Sequence, residues 1–361
     1  MQPLLLALSM TVASPDPELM VERLQKGLDP AAIAASLHRY ALPTWFDPQG
    51  NLVIRVERNT PKSLPPIAFI ARLERGPVLV HPGYAGEDLR LPAGRLSYKS
   101  HPDLEDYLGN DLVTSDGKAP LLGVGAVESL TALETLLAHP EWKHGELVFV
   151  FQKGPFDPGT IGVRWAYTME AGKRGEFGNQ SFNAATVLVN LFSEKKSLNA
   201  IPVAAEFVRN LPDAPEKNGF IHPASLKADP KKASMTFLLR DFEKRGLAQK
   251  EGTLRQAAVK TQRAYPPVKL TLETIPAYQN LRLSLDREPR VTRLATEAYR
   301  LAGLKPAFIA FREDADCISY SSKGVPTGAL FSGVVEEQWL PVNAMVQASE
   351  VILQLSRLTA Q

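Results

Sequence analysis

The 361-residue sequence holds a single cysteine, Cys317. A lone thiol excludes an internal disulfide framework and a cysteine-built zinc site, and it suits a reducing compartment. Histidine is sparse as well, limited to His38, His81, His101, His139, His144 and His222. No two of them stand at i, i+4, the spacing that presents a metal-ligating pair on one helix face. No apolar run reaches the ~18 residues of a membrane-spanning helix. An excess of either charge is missing too: 41 basic and 39 acidic residues leave a net +2. That balance gives no electrostatic case for nucleic acid or an anionic membrane. GVGAVES and GEDLRLPAG lack the glycine spacing of a phosphate loop. CISYSSKG clusters Ser319, Ser321 and Ser322 but has no nucleophile elbow and no nearby histidine to act as base.

What is present points to a two-domain α/β protein, since a chain of this length outgrows one core. NLVIRVE (51–57), PIAFIAR (66–72), ELVFVFQ (146–152) and VRWAYT (163–168) read as strands, rich in β-branched and aromatic residues. VESLTALETLLAH (127–139) sets Val127, Leu130, Leu133, Leu136 and Leu137 on one face at helical spacing. Strands alternating with such helices imply a sheet with helices on its faces. The N-terminal run PLLLALSMTVAS lacks the positive region of a signal peptide and precedes Pro15-Asp16-Pro17, so a first amphipathic helix and a cytoplasmic protein are expected.

The texture changes after Gly178. TVLVNLF (186–192) is a strand, LNAIPVAAEFVRNL a helix with Pro202 in its first turn, and strands follow near 219–226 and at ASMTFLLRD (233–241). A long helix from about 242 to 264, capped by Asp241, and the strand PPVKLTLETI complete a β-α-β-β-α-β order, a ferredoxin-like unit. From about 287 the α/β texture returns: TRLATEAYRLAGL is a helix ended by Gly303, PAFIAF and TGALFSG are strands, and NAMVQASEVILQLSRL is a final helix. The expected organisation is a discontinuous large domain (1–178 and 287–361) with 179–286 inserted.

The words LGNDLVTSDGK with LLG (108–123), TALETLLAHPEWKHGE (131–146), WAYTMEAG (165–172), SFNAA (181–185), RDFE (240–243), YQNLR (278–282), KGVPTGALFSG (323–333) and PVNAM (341–345) carry a collinear resemblance. In that order they resemble the M20 co-catalytic metallopeptidases, and among them the tripeptide aminopeptidases. The resemblance implies a zinc-exopeptidase-like α/β domain with an inserted ferredoxin-like lid. It also implies two zinc ions about 3.5–4 Å apart whose bridging water is the nucleophile.

Such a centre needs His nitrogen or carboxylate oxygen when no thiolate is present. The family's His-x-Asp motif falls on Arg72 and Glu74, its bridging aspartate and neighbour on Gly125 and Ala126, and its Glu-Glu pair on Gly154 and Pro155. Glu170 stands where the family carries aspartate. The loop GVVEEQWLP after Gly333 has no histidine, and NLFSEKKSLN replaces a histidine-bearing segment of the small domain. Arginine offers zinc no lone pair, and glycine, alanine and proline bring no side-chain donor. The resemblance therefore implies a degenerate centre without zinc, in which Arg72 replaces the metal charge as a buried partner of Glu74 or Glu170. The alternative is an active metal-dependent tripeptide aminopeptidase with displaced ligands.

Peptide recognition is what such a chain could retain. Arg282 in YQNLR is a candidate for holding a peptide carboxylate, or else an inter-domain salt bridge. Asn183 in SFNAA is a substrate-contact candidate, or else a turn residue. Asp116 reads as a turn residue, His139 and His144 as helix-end or solvent-facing residues, and His222 as structural. His81 reads as a loop residue bordering the cleft, and Cys317 as buried and inert. The partners implied are peptides, a second copy, or an active relative.

Overall fold

The computed structural model describes residues 15–91, 94–97, 99, 101–193, 198–212, 218–336 and 338–360. The N-terminal run and the 194–197 part of the strand-to-helix connection lie outside the described residues. In chain order the elements begin with α1 (Pro17–Lys26), α2 (Pro30–Leu37), β1 (Thr44–Phe46), β2 (Leu52–Val56), β3 (Ile67–Arg72), β4 (Leu79–His81), β5 (Leu89–Leu91) and β6 (Gly94–Leu96). Next come β7 (Leu112–Thr114), α3 (Val124–Ala138), β8 (Leu147–Gln152), β9 (Trp165–Ala171) and β10 (Glu176–Ser181). Then follow β11 (Asn183–Ser193), α4 (Ala200–Arg209), β12 (Gly219–Ala228), β13 (Lys232–Asp241), α5 (Lys244–Ala264) and β14 (Val268–Tyr278). The last stretch holds α6 (Arg282–Leu285), α7 (Arg290–Leu301), β15 (Ala307–Phe311), α8 (Asp316–Ser322), β16 (Thr327–Phe331), β17 (Trp339–Pro341) and α9 (Val342–Leu358).

Two units emerge. The first is Met1–Asn179, Glu288–Ile309 and Lys323–Gln361; the second is Gln180–Arg287 and Ala310–Ser322. The sequence reading had kept 287–361 whole. Residues 310–322 instead cluster with the second unit, where α8 packs on β14 and Tyr278 donates its hydroxyl hydrogen to Asp314 Oδ1 at 2.8 Å.

The first unit is built on an eight-stranded sheet of order β1-β2-β8-β3-β9-β16-β10-β15. Its centre is parallel, with β8, β3, β9 and β16 running the same way. β8 is buried along its whole length and β3 along all but its last residue, as expected of apolar runs covered on both faces. Helix α3 is buried nearly all round, because it packs on this sheet and also against α9 and α1.

The second unit has sheet order β12-β13-β11-β14, all antiparallel, with α4 and α5 on one face. That is the ferredoxin-like arrangement, and Val187, Val189, Phe207, Phe237 and Leu254 fill its core. Pro202 sits in the first turn of α4, which Asn199 caps by accepting from Ile201 N. Asp241 does not cap α5; the N-cap is Glu243, and Asp241 is the last residue of β13. Its carboxylate accepts from Glu243 N at 2.8 Å and pairs with Lys250 Nζ at 2.7 Å in a buried ion pair. Gly246 is required there, since a Cβ would come within 2.2 Å of that carboxylate. Both outer strands carry a proline, Pro223 in β12 beside a bulge and Pro276 in β14, as edge strands tolerate.

One core residue breaks the pattern. Glu128 in α3 is fully buried, and neither carboxyl oxygen has a protein hydrogen-bond partner. Burial alone pushes its pKa well above 4.5, so the carboxyl is held neutral in the fold. A group whose folded pKa is raised stabilises most below its unfolded pKa and loses that contribution as pH rises towards the folded value. From pH 4.5 upwards, therefore, Glu128 should cost the protein about 1.4 kcal/mol of stability per pH unit while it stays protonated only in the fold. Glu128→Gln should remove that slope, so denaturant unfolding at pH 5 and pH 8 should differ less in the variant than in the native chain. Equal pH dependence in both would refute the buried-acid reading.

Candidate functional site

Strands β8, β3 and β9 are parallel neighbours, so their C-terminal ends lie side by side, where open α/β sheets bind ligands. The register sets Arg72 against Gln152 and Ile70 against Thr168. Arg72, the turn after Gln152, and Glu170 thus occupy adjacent strand ends. The N-terminus of α3 reaches the same place, with Gly123 against the Glu74 carbonyl and Gly125 against Met169 of β9. The fold therefore gathers the positions that the sequence resemblance singles out.

Their chemistry does not fit a metal centre. Arg72 Nη1 lies 3.3 Å from Glu74 Oε1, and the two side chains are 54% and 40% exposed. The expected buried pair is instead a surface one, because Arg72 is the exposed last residue of β3. Glu170 accepts a hydrogen bond from Thr168 Oγ1 at 2.7 Å. A Cβ on Gly125 would stand 2.6 Å from Met169 Cβ and 3.1 Å from the Met169 carbonyl oxygen. Position 125 is closed to any side chain unless β9 or α3 moves. Ala126 beside it is buried.

The Gly154–Pro155 turn is locked by the fully buried Asn51. Asn51 Oδ1 accepts from Lys153 N (2.7 Å) and Gly154 N (2.9 Å), while its Nδ2 donates to the Pro155 carbonyl at 3.0 Å. Among the described residues, no group of three or more His, Cys, Asp or Glu side chains is placed to hold a metal ion.

The histidines and other candidates are accounted for locally. His81 ends β4 rather than lying in a loop, and its Nε2 is 3.0 Å from Thr114 Oγ1; burial lowers its pKa. His139 is the C-cap of α3 and stacks on Trp142. His144 is buried rather than solvent-facing, its Nδ1 2.8 Å from the Gly145 carbonyl, and burial lowers its pKa too. His222 lies in the edge strand β12, Cys317 is buried, and Asp116 Oδ1 accepts from Lys118 N and Ala119 N as a turn residue.

The two substrate-contact candidates differ in fate. Asn183 is buried in β11, not in a turn. Its Nδ2 donates to the carbonyls of Asp241 (3.2 Å) and Phe242 (2.9 Å), and its Oδ1 accepts from Asn280 N at 3.0 Å. With the amide engaged by backbone, Asn183 joins strands instead of facing a ligand. Arg282 is exposed, and its ion pair is local, at 3.6 Å to Asp286, the C-cap of α6.

Sequence reasoning missed a stronger cation, Arg240, within the second unit. Its side chain is only 11% exposed, while Asp314, its ion partner at 3.9 Å, is 79% exposed. The guanidinium packs over the Tyr278 ring at 5.4 Å. Burial, followed by the hydrogen bond to Asp314, pushes the Tyr278 hydroxyl up to about 12. Beside this group Arg312 stands over Phe182 and Phe242, each at 5.7 Å. The available signal was an arginine on the open-face positions of an alternating strand, in the word RDFE.

No family model matches the chain. It is 31% identical over 354 residues to a peptidase T of Shouchella clausii (strain KSM-K16), covering 88% of this chain and 86% of that protein. The chain belongs to the peptidase T family of M20 peptidases. A peptidase T of Geobacillus thermodenitrificans (strain NG80-2) is 30% identical, with 87% and 86% covered. Among solved structures, aminopeptidase PepT from Bacillus cereus ATCC 10987 superposes with a TM-score of 0.71 at 14% identity, covering 95% of this chain and 98% of that one. The Bacillus subtilis YXEP protein, described as a dinuclear metal-binding peptidase from the M20 family, gives 0.64 at 14% identity, with 95% and 97% covered. These likenesses bear out the mixed α/β fold, with its large central sheet, that the chain shares with those structures.

For a peptidase T-family chain, the contact of Gly125 with Met169 is directly testable. Gly125→Asp is expected to lower stability by about 1–3 kcal/mol, as overpacking does. Combined with Met169→Gly, which removes the Cβ that stands 2.6 Å away, it should cost less than the two single changes summed, by thermal unfolding of all three variants. Strict additivity would mean the two positions do not collide. Arg72→Ala, which breaks an exposed pair, should cost less than about 1 kcal/mol.

Proposed function

We propose that this chain is a peptidase T-like M20 homologue that has lost zinc binding and hydrolysis and retains peptide binding. The observation that carries this reading is the closed position 125, where a bridging aspartate would need room that Met169 fills. Arg72 in the His position and Asn51's hold on the Gly154–Pro155 turn support it independently. Without a metal, a water molecule keeps its ordinary very weak acidity instead of the near-neutral pKa that a bound metal gives it, so a hydroxide nucleophile is lost at neutral pH.

Peptide binding is assigned to Arg240, with Arg312 beside it, because a desolvated guanidinium with a distant, exposed counterion gains by accepting a carboxylate. Arg282 is the secondary candidate.

The purified chain is expected to leave tripeptides uncut with added Zn²⁺, Mn²⁺ or Co²⁺. Metal analysis after dialysis should find far less than two zinc ions per chain. Chelator-sensitive turnover that follows the protein through chromatography, together with two bound zinc ions, would establish the active enzyme with displaced ligands instead. Calorimetry with a tripeptide should show binding that Arg240→Gln weakens by about 10–100-fold, the loss of a charge-assisted pair. An unchanged affinity would remove Arg240 from the site.

A further inference from the structure

Adjacent residues of β13 sit in very different ion pairs. Asp241 meets Lys250 Nζ at 2.7 Å, with both side chains almost fully buried. Arg240 Nη2 faces Asp314 Oδ1 at 3.9 Å, too far for a hydrogen bond. Asp314 is 79% exposed, on the short connection between β15 and α8, whereas the Arg240 side chain is 11% exposed. The desolvated member of this pair is the cation, and the carboxylate is the member that water can take.

The same Asp314 oxygen accepts from the Tyr278 hydroxyl at 2.8 Å. Tyr278 keeps its proton at neutral pH, since burial and then this bond push it up to about 12. The Arg240 guanidinium lies over the Tyr278 ring at 5.4 Å, so both donors border one spot. Arg240 Nη1 donates to the Leu239 carbonyl at 3.1 Å, which orients the guanidinium with Nη2 towards Asp314. All these side chains belong to the second unit.

A carboxylate tethered at position 314 thus satisfies Tyr278 and stops short of Arg240. An untethered one can set one oxygen on the Tyr278 hydroxyl and the other on Arg240 Nη2. It gains a charge-assisted bond that Asp314 does not make.

We propose that Asp314 is an internal stand-in for a ligand carboxylate: it occupies a subsite made by Arg240 and Tyr278, and the terminal carboxylate of a peptide displaces it. This rests on the peptide-binding reading above and adds to it a second donor and a built-in competitor. Displacement is easy, because an exposed pair contributes little. The strand register sets Phe220 opposite Arg240, and Phe220 meets Phe182 edge-on at 5.8 Å. The wall beside the carboxylate is aromatic, so the ligand class is peptides ending in an aromatic or large apolar residue.

The probes are Ala-Ala-Phe and its C-terminal amide, titrated into the full chain by calorimetry, with circular dichroism confirming that each variant is folded. Asp314→Asn should tighten Ala-Ala-Phe about 3–5-fold, the size of an exposed pair, and leave the amide unchanged. In that background Tyr278→Phe should weaken the acid about 10-fold, as losing a hydrogen bond to a charged group does. Glu313→Gln, which neutralises the neighbouring exposed acid, should leave both affinities as they are. An Asp314→Asn variant that binds the acid no better would overturn the proposal. Equal tightening of acid and amide, or the same gain from Glu313→Gln, would also overturn it, since either marks a general field effect. The parent reading fails by a different result, an Arg240→Gln variant that binds Ala-Ala-Phe unchanged. Binding that needs Arg240 but ignores Asp314 and Tyr278 removes the stand-in alone. No binding by either the native chain or Asp314→Asn would remove both.

Discussion

The N-terminal turn of α3 meets the sheet at backbone contact distance, and the strand-end region is shaped by that contact. Gly123 adopts φ +80° with a Cβ position only 2.4 Å from the Glu74 carbonyl oxygen, and Gly125 leaves no Cβ space beside Met169. Glycine alone permits such closeness. With the helix start seated this low, Gly123 and Gly125 have no room for a Cβ, and Val124 and Ala126 are buried. Of the polar groups at these strand ends, Arg72 and Glu74 pair at the surface and Glu170 accepts from Thr168. The architecture of the peptidase T family is thus kept while the start of α3 is packed directly on β9.

Much of the fold was legible because hydrophobic period and turn chemistry are local. β3, β8 and α3 are where their apolar patterns put them, and the four strands and two helices of the second unit follow the order read from the sequence. What was not legible depends on distant neighbours. Glu128 is an ordinary charged helix residue by pattern, and only the packing of α3 against the sheet and against α9 and α1 buries it. The glycine at position 125 was visible, but its close packing against Met169 was not. Asp241 looked like a cap because it precedes a helix, yet its strand pairing and Lys250 decide its role.

The word RDFE shows how alternation encodes two environments in adjacent residues. Arg240 and Asp241 project to opposite faces of β13. Asp241 turns towards the helices and meets Lys250 in the dry interior, where losing one partner would leave the other charge stranded. Arg240 turns to the open face, where Tyr278 and the remote Asp314 are its company. Asp241 anchors the unit through Lys250, while Arg240 donates to the Leu239 carbonyl at 3.1 Å on the open face, so a substitution at either position would have a distinct signature.

The prolines on β12 and β14 bear on the order in which the chain is made. β16 lies between β9 and β10 in the large sheet, so that sheet stays split until residues 327–331 emerge. The strands and helices of the second unit are synthesised before then, and its four-stranded sheet can form while its host is still incomplete. During that interval the ribosome-bound chain offers open strand edges in a crowded setting, where edge-to-edge pairing between nascent chains is the main hazard. Pro223 and Pro276 interrupt the donor rows on the two edges that form first, which leaves the early-folding unit poorly suited to templating its neighbours.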